Sequence, residues 1–228
     1  MRIRLTAIVV AAFGVLLPAA AFAQTKMARP TFGILIGTNI ATISDADQGI
    51  GDLVGASFDK KKRIGLDAGV FVQIPLGGML SLQPEVHYAQ NGVSITSSTG
   101  AVSSLDLKID YLEIPVLLRL DAGGADAAVH PILLAGASGA YRLKCSLSGT
   151  GGGTSVSTDC NAGTDSEDPF KKSDFSLVGG AGLAFTSMGH SLSLQARYTH
   201  GLSSIATTST AASNPKNRAL SILLGIGF

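Results

Sequence analysis

Residues 64–76 have the sequence IGLDAGVFVQIPL, in which apolar side chains alternate with polar or small ones. All even positions from Ile64 to Leu76 are apolar, and the odd positions include Gly65, Asp67 and Gln73. A helix would place its apolar residues three and four apart, so this stretch predicts a β-strand with one apolar face.

The same alternation recurs along the rest of the chain. It is clear in 80–88, 112–120, 192–198 and 220–228, and weaker near 30–41, 129–143 and 174–186. The connections alternate in length, with long ones over about 42–62, 91–106, 144–173 and 202–217 and short ones near Pro75–Met79, Asp121–Ala128 and Ser187–Gly189. The sequence therefore predicts eight antiparallel strands whose long loops all leave one end, with the short turns and both termini at the other.

Composition helps to choose between the two folds that this alternation allows. The chain is 46% hydrophobic and only 14% charged, against about 25% charged residues in a usual soluble domain. The strands of a two-sheet sandwich alternate in the same way. In lipid, however, a closed barrel also gives the backbone N–H and C=O groups of a hydrophobic chain their hydrogen-bond partners. The low charge and the loop asymmetry favour an all-β, eight-stranded, up-and-down transmembrane barrel in a bacterial outer membrane.

The N-terminus indicates export. Arg2 and Arg4 precede an apolar run over residues 7–17, and Ala21-Phe22-Ala23 has the small-x-small pattern that precedes signal-peptide cleavage. The run is shorter than the roughly 20 apolar residues of a membrane-spanning anchor. We therefore expect residues 1–23 to be a cleaved signal peptide and residues 24–228 to form the barrel domain.

The chain has two cysteines, Cys145 and Cys160, in a segment rich in Gly, Ser and Thr. In an exported protein such a pair predicts a disulfide that closes a loop. Two thiols are too few for a zinc site, and no histidine stands near them in sequence.

Charged residues fall on the polar sets of the strands, which face the barrel interior if the apolar sets face lipid. These are Arg63, Asp67, Glu85, His87, Glu113, Arg119 and Arg197. An unpaired buried charge is costly, so we expect pairing between neighbouring strands, Glu85 with Arg119 first and Glu113 with Arg197 second. Since eight strands enclose a space just wide enough for side chains to fill, this network predicts a plugged lumen.

Three blocks of sequence resemble the PorT-like outer-membrane β-barrel family: FVQIPL at 71–76, LSLQPE at 80–85 and DYLEIPVLL at 110–118. Segments 133–136, 180–183 and 192–198 fit the same pattern, and the resemblance covers nearly all of residues 30–228. It implies an eight-stranded outer-membrane barrel. Some relatives take part in a protein secretion system, but no residue here can be assigned to that role.

The C-terminal Phe228, preceded by alternating Ile222, Leu224 and Ile226, resembles the terminal aromatic signal that the outer-membrane assembly machinery recognises. An aromatic residue in the interfacial girdle of a barrel would look the same, and both roles can hold together.

The remaining features narrow the function. Net charge is +1, with 17 basic and 16 acidic residues and no basic stripe, so no nucleic-acid partner is expected. The histidines lack metal-ligand spacing, and no cofactor motif is present. We predict a non-enzymatic structural or binding role, in which the barrel contacts outer-membrane lipid and the long loops contact an envelope protein.

Two other classes stay open. One is a small outer-membrane enzyme acting on lipid or peptide, for which His87 beside Glu85, or His200 near Ser203 and Ser204, would supply the reactive groups. The other is a narrow channel for a small solute, which the expected plug disfavours.

Overall fold

The alternating segments form long strands that pair with their neighbours in sequence. The computed structural model describes residues 29–44, 59–96, 104–123, 128–151, 153–160, 171–187, 190–204 and 215–228, so the predicted signal peptide lies outside the described residues. Within these ranges the strands are β1 (Thr31–Ile43), β2 (Asp59–Gly77), β3 (Leu80–Thr96), β4 (Ser104–Asp121), β5 (Val129–Gly151), β6 (Thr154–Asp159), β7 (Ser173–Ser187), β8 (His190–Gly201) and β9 (Asn217–Gly227).

The first and last strands close the sheet on itself. β1 pairs with β2 on one side and with β9 on the other, and the ring continues through β3, β4, β5, β7 and β8, all antiparallel. β6 lies outside this ring and pairs with β5 above the point where β5 leaves β7. The predicted eight-stranded antiparallel barrel is therefore confirmed, with β6 as an additional short strand.

Side chains alternate between the two faces of the wall. In β9 Leu220, Ile222, Leu224 and Ile226 are exposed, whereas the residues between them are buried. The outward set of the other barrel strands is similarly aliphatic, because these residues meet lipid rather than water. None of the described residues belongs to a helix long and apolar enough to cross a membrane.

Exposed aromatic residues mark the two edges of this apolar band. They are Tyr141, Phe175 and Tyr198 toward the long loops, and Phe32, Phe185 and Phe228 toward the short turns. Phe175 and Phe185 are ten residues apart on β7, about 33 Å along a strand. At the usual tilt of roughly 40° this gives a band about 25 Å tall, the height expected for an outer-membrane barrel.

The strands extend further toward the long-loop end than the sequence pattern predicts. β2 begins at Asp59, β3 continues to Thr96 and β4 begins at Ser104, inside the predicted loops 42–62 and 91–106. The alternation ends where the strands leave lipid, but the backbone ladder needs no apolar side chains and continues. The connection between β3 and β4 is therefore short, and the predicted strict alternation of long and short connections is wrong at this position.

The predicted loop 144–173 is also partly strand. β5 continues to Gly151 and β6 returns along it, with Ser146 opposite Asp159 and Gly151 opposite Thr154. The disulfide between Cys145 and Cys160 is present, with the two Cα atoms 5.4 Å apart. It ties the base of this hairpin, which stands on the end of the barrel.

The facing of the wall can be tested with two matched lysine substitutions. Ile222 lies in the lipid-facing band and Val156 on the projecting hairpin, and both are exposed apolar residues. Ile222→Lys should lower the free energy of unfolding by about 2–4 kcal/mol, the cost of a lysine near the bilayer midplane, while Val156→Lys should change it by less than about 0.5 kcal/mol. Urea titration in lipid vesicles measures both values, and equal costs would contradict the membrane position.

Candidate functional site

The interior of the barrel is crossed by an ion pair between opposite walls. Arg197 on β8 donates from NH1 to Oε2 of Glu85 on β3 at 2.6 Å, and from NH2 to Oε1 at 2.9 Å. Three strands separate β3 from β8 in either direction around the ring. Both residues are buried, so this two-point contact spans the diameter of the lumen.

Small residues make room for the large polar side chains. Gly180 stands opposite Arg197 in the β7–β8 register, and a Cβ there would lie 2.9 Å from Arg197 Cγ. Gly69 stands opposite His87, where a Cβ would lie 2.7 Å from the imidazole ring. These two glycines of the interior set therefore leave the space that the arginine and the histidine fill.

His87 extends the ion pair toward β2. Its Nε2 lies 2.7 Å from Oε2 of Glu85, and its Nδ1 lies 2.6 Å from Oδ1 of Asp67. Gln195 accepts from Nε and NH2 of Arg197 at 3.0 and 2.6 Å. The result is a continuous chain of polar groups from β2 through β3 to β8.

A second cluster lies toward the short turns. Arg119 donates from Nε and NH2 to Oδ1 of Asp121 at 3.0 and 2.7 Å, and His130 Nε2 lies 3.0 Å from the same oxygen. Gln83 connects the two clusters, because it donates to Oε1 of Glu85 at 2.6 Å and accepts from NH1 of Arg119 at 3.4 Å.

The remaining predicted residues lie around Asn91 on β3. Asn91 donates to Oε1 of Glu113 at 3.3 Å, and its backbone oxygen accepts from NH1 of Arg63 at 2.8 Å. Asn39 donates to the side-chain oxygen of Asn91 and accepts from Ser221 at 3.2 Å, which brings β1 and β9 into the network.

The structure puts all seven predicted residues on barrel strands, but the predicted pairs are wrong. Arg119 stands opposite Ser81 in the β3–β4 register, four residues and about 13 Å along the strand from Glu85. It pairs with Asp121 on its own strand, and Arg197 pairs with Glu85 rather than with Glu113. The sequence predicts ion-pair partners on neighbouring strands, but in a narrow barrel the long side chain of Arg197 reaches the opposite wall.

Several interior polar residues were missed by the sequence analysis. The sequence pattern predicts a short turn at Asp121, although Asp121 continues the interior set of Leu117 and Arg119. His130 likewise lies in the interior set of Ile132. Near the other end, Asp174 accepts from Asn217 at 2.7 Å and from Ser203 at 2.5 Å. Extending the period-two pattern to the ends of the strands would have found the first two.

The interior also contains apolar side chains. Apolar side chains fill the space between the polar clusters in three groups, which are Leu35, Phe71 and Leu223; Leu117, Ile132, Leu134, Val178 and Ala184; and Ile43, Val93, Leu107, Ile109, Tyr111 and Cys145. The third group lies toward the long loops and covers the polar clusters from that side.

A small cavity lies beside the Arg197–Glu85 contact. It measures about 20 Å³ and lies among Asp67, His87, Glu113 and Arg197, which is room for about one water molecule. Throughout the described ranges, every buried side-chain nitrogen and oxygen has a hydrogen-bond partner. This cavity is too small for a lipid or a peptide.

The histidines considered for catalysis lie in different surroundings. His87 is enclosed between Asp67 and Glu85. His200 packs its ring 6.4 Å from that of the outward-facing Tyr198, whereas Ser203 bonds to the interior Asp174. Within the described part of the chain, no group of three or more His, Cys, Asp or Glu could hold a metal ion.

Phe228 closes the seam between the chain ends. Its backbone N–H donates to the Phe32 oxygen at 2.8 Å, and Phe32 N–H donates back at 3.3 Å. The ring is exposed on the lipid side, with its centroid 6.3 Å from that of His190. This position is that of a girdle aromatic, and recognition of Phe228 by the assembly machinery stays a prediction.

Comparison with known proteins gives one family match. Residues 22–207 match the family described as outer membrane protein beta-barrel domain. Among curated proteins, none matches the chain significantly.

Solved structures of similar form include three bacterial proteins. OprG from Pseudomonas aeruginosa is 15% identical with a TM-score of 0.47, over 86% of this chain and 94% of that one. Neisserial surface protein A is 15% identical with a TM-score of 0.43, over 86% and 97%. Ail of Yersinia pestis, solved with the heparin analogue sucrose octasulfate, is 16% identical with a TM-score of 0.43, over 88% and 100%.

The cross-lumen ion pair can be tested with matched arginine substitutions. Arg197→Met leaves the Glu85 carboxylate buried without its guanidinium and should lower the free energy of unfolding by about 3–5 kcal/mol. Arg218→Met, at an exposed position of β9, should change it by less than about 0.5 kcal/mol. Urea unfolding in lipid vesicles measures both, and a similar small cost for the two variants would rule out the ion pair.

Proposed function

Because this chain belongs to the outer membrane protein beta-barrel domain family and lies in the bacterial outer membrane, we propose that it is a non-conducting surface protein that binds a partner through its projecting sheet. The barrel anchors and orients this sheet. Outer-membrane lipid contacts the apolar band, and the partner is an envelope protein.

The observation that carries the proposal is the open edge of β6. The β3–β4–β5 ladder continues past the barrel to the pairs Thr96–Ser104 and Ser104–Thr150, and β6 adds to it as the outermost strand. All residues of β6 are exposed, and in the described ranges this strand pairs only with β5. An unpaired edge presents backbone N–H and C=O groups that an extended segment of another protein can bind.

The side chains of β6 leave that edge accessible. Hydroxyl pairs face each other across the hairpin, Ser148 with Ser157 and Thr150 with Ser155, each at 3.0 Å. The strand, TSVSTD, carries neither lysine nor proline, the residues that commonly block strand addition. The disulfide holds the base of the hairpin, which lowers the entropy lost when a partner strand is added.

The filled lumen supports binding over conduction. The Arg197–Glu85 contact crosses the diameter, and the cavity beside it holds about one water molecule. A conducting path would require these side chains to move apart, at the cost of separating a buried ion pair.

The same packing argues against an enzyme acting on lipid or peptide. His87 has both ring nitrogens within 2.7 Å of carboxylate oxygens and is 3% exposed, so no substrate reaches it.

The Leu82–Glu85 and Tyr111–Pro115 blocks support a place near the PorT-like barrels within the family. A role in secretion is not part of the proposal.

Two substitutions at Ser157 test the open edge. Cys160 N–H bonds to the Cys145 oxygen, so by antiparallel alternation Ser157 directs its own N–H away from β5. Ser157→Pro removes this donor without breaking the hairpin, whereas Ser157→Ala removes only the side chain. Chemical cross-linking in native outer membranes, followed by mass spectrometry, should recover one partner with the unmodified protein and Ser157→Ala, and lose it with Ser157→Pro.

Equal recovery with both variants would exclude strand addition at β6. Recovery of no partner from any of the three proteins would contradict the proposed binding role.

A further inference from the structure

The wall of the barrel divides near the outer edge of the apolar band. β7 pairs with β5 up to Tyr141 opposite Ser173, and Arg142 N–H donates to the Lys172 oxygen at 2.8 Å. Beyond that point β6 takes the place of β7 along β5. The two strands diverge around an open cleft of about 410 Å³, within the size range of small-ligand sites.

A β-bulge directs side chains of β5 into this cleft. Asp110 stands opposite Lys144 and Tyr111 opposite Arg142, so Leu143 is the extra residue between the two pairs. Leu143 and the neighbouring Lys144 are both exposed as a result. Bulges commonly re-aim side chains next to binding sites.

The cleft has an apolar side and a basic side. Tyr141 and Leu143 are about half exposed and form the apolar lining. Of the lining residues that the structure describes, Lys144, Lys172 and the buried Arg142 are basic and Asp159 is acidic. The carboxylate of Asp110, on the strand beside Lys144, accepts from Tyr88 at 2.9 Å. The balance at the cleft is therefore positive.

The height of the cleft matches that of lipid headgroups. Tyr141 belongs to the girdle at the outer edge of the apolar band, and Lys144 lies three residues further out, about 10 Å along the strand and therefore about 8 Å higher at a tilt of roughly 40°. The polar headgroup layer adds about 5–7 Å to each side of the hydrocarbon core. Lys144 thus lies at headgroup level, while Tyr141 lies at the outer edge of the acyl-chain region.

We propose that the cleft between β6 and β7 binds the phosphate headgroup of an outer-leaflet lipid, with Lys144 and Lys172 on the phosphate and Tyr141 and Leu143 against the first carbons of the acyl chains. A soluble anion would contact the lysines alone and leave the apolar lining in water. The presence of a basic and an apolar side in one cleft therefore favours a lipid. Lipid binding in the cleft does not require a partner at the edge of β6.

The test uses the folded full chain in detergent and native mass spectrometry titration. The probes are phosphatidic acid, which carries a phosphate monoester on two acyl chains, phosphatidylcholine, whose headgroup has no net charge, and inorganic phosphate. Lys144→Gln with Lys172→Gln is compared with Lys61→Gln and Lys62→Gln, two exposed lysines of β2 outside the cleft. Both double variants are first checked for migration as folded barrels.

The unmodified protein should bind phosphatidic acid in preference to the other two probes. The Lys144/Lys172 variant should bind it about 30-fold more weakly, which corresponds to about 1 kcal/mol for each lysine, and the Lys61/Lys62 variant should bind it unchanged. If the two double variants lost affinity for phosphatidic acid equally, the effect would come from the overall charge of the protein, and the proposed site would be overturned. Equally tight binding of inorganic phosphate, or no preference for phosphatidic acid, would overturn the lipid assignment.

Discussion

In a lipid bilayer, backbone N–H and C=O groups have no water to bond with, and the rest of this structure depends on that constraint. It requires β1 to pair with β9, so that the sheet has no free edge within the membrane. Closure of eight strands then leaves a narrow interior, and alternation sends every second side chain into it. The polar side chains that cannot face lipid must therefore satisfy one another inside, as Arg197 and Glu85 do across the lumen.

The constraint ends where the strands leave the membrane, and the architecture changes at that point. Above the aromatic girdle the ladder no longer has to be closed, and among the described strands β6 pairs with β5 alone. The cleft at the divergence of β6 and β7 arises from the same change. The described part of the chain thus combines a closed barrel below with a projecting sheet above, and the proposed partner binding is assigned to the sheet.

The sequence predicts the strand number and the facing of residues well, because a period of two translates directly into lipid-facing and interior sets, as in Leu220–Phe228. It fails on two kinds of detail. The predicted pairs Glu85–Arg119 and Glu113–Arg197 assume that partners lie on neighbouring strands. Arg197 instead pairs with Glu85 on the opposite wall, and the order of the strands in the sequence does not reveal this contact. The projecting hairpin was missed because strands in water, such as Thr154–Asp159, need no alternation.

The central claim is that the interior network closes the lumen, and single-channel recording in planar lipid bilayers tests it most directly. The unmodified protein should show no stable ion conductance, and Arg197→Ala, which removes the contact across the diameter, should produce conductance steps. Steady conductance in the unmodified protein that Arg197→Ala leaves unchanged would contradict the account, because ions would then be crossing by a path that the Arg197–Glu85 ion pair does not close.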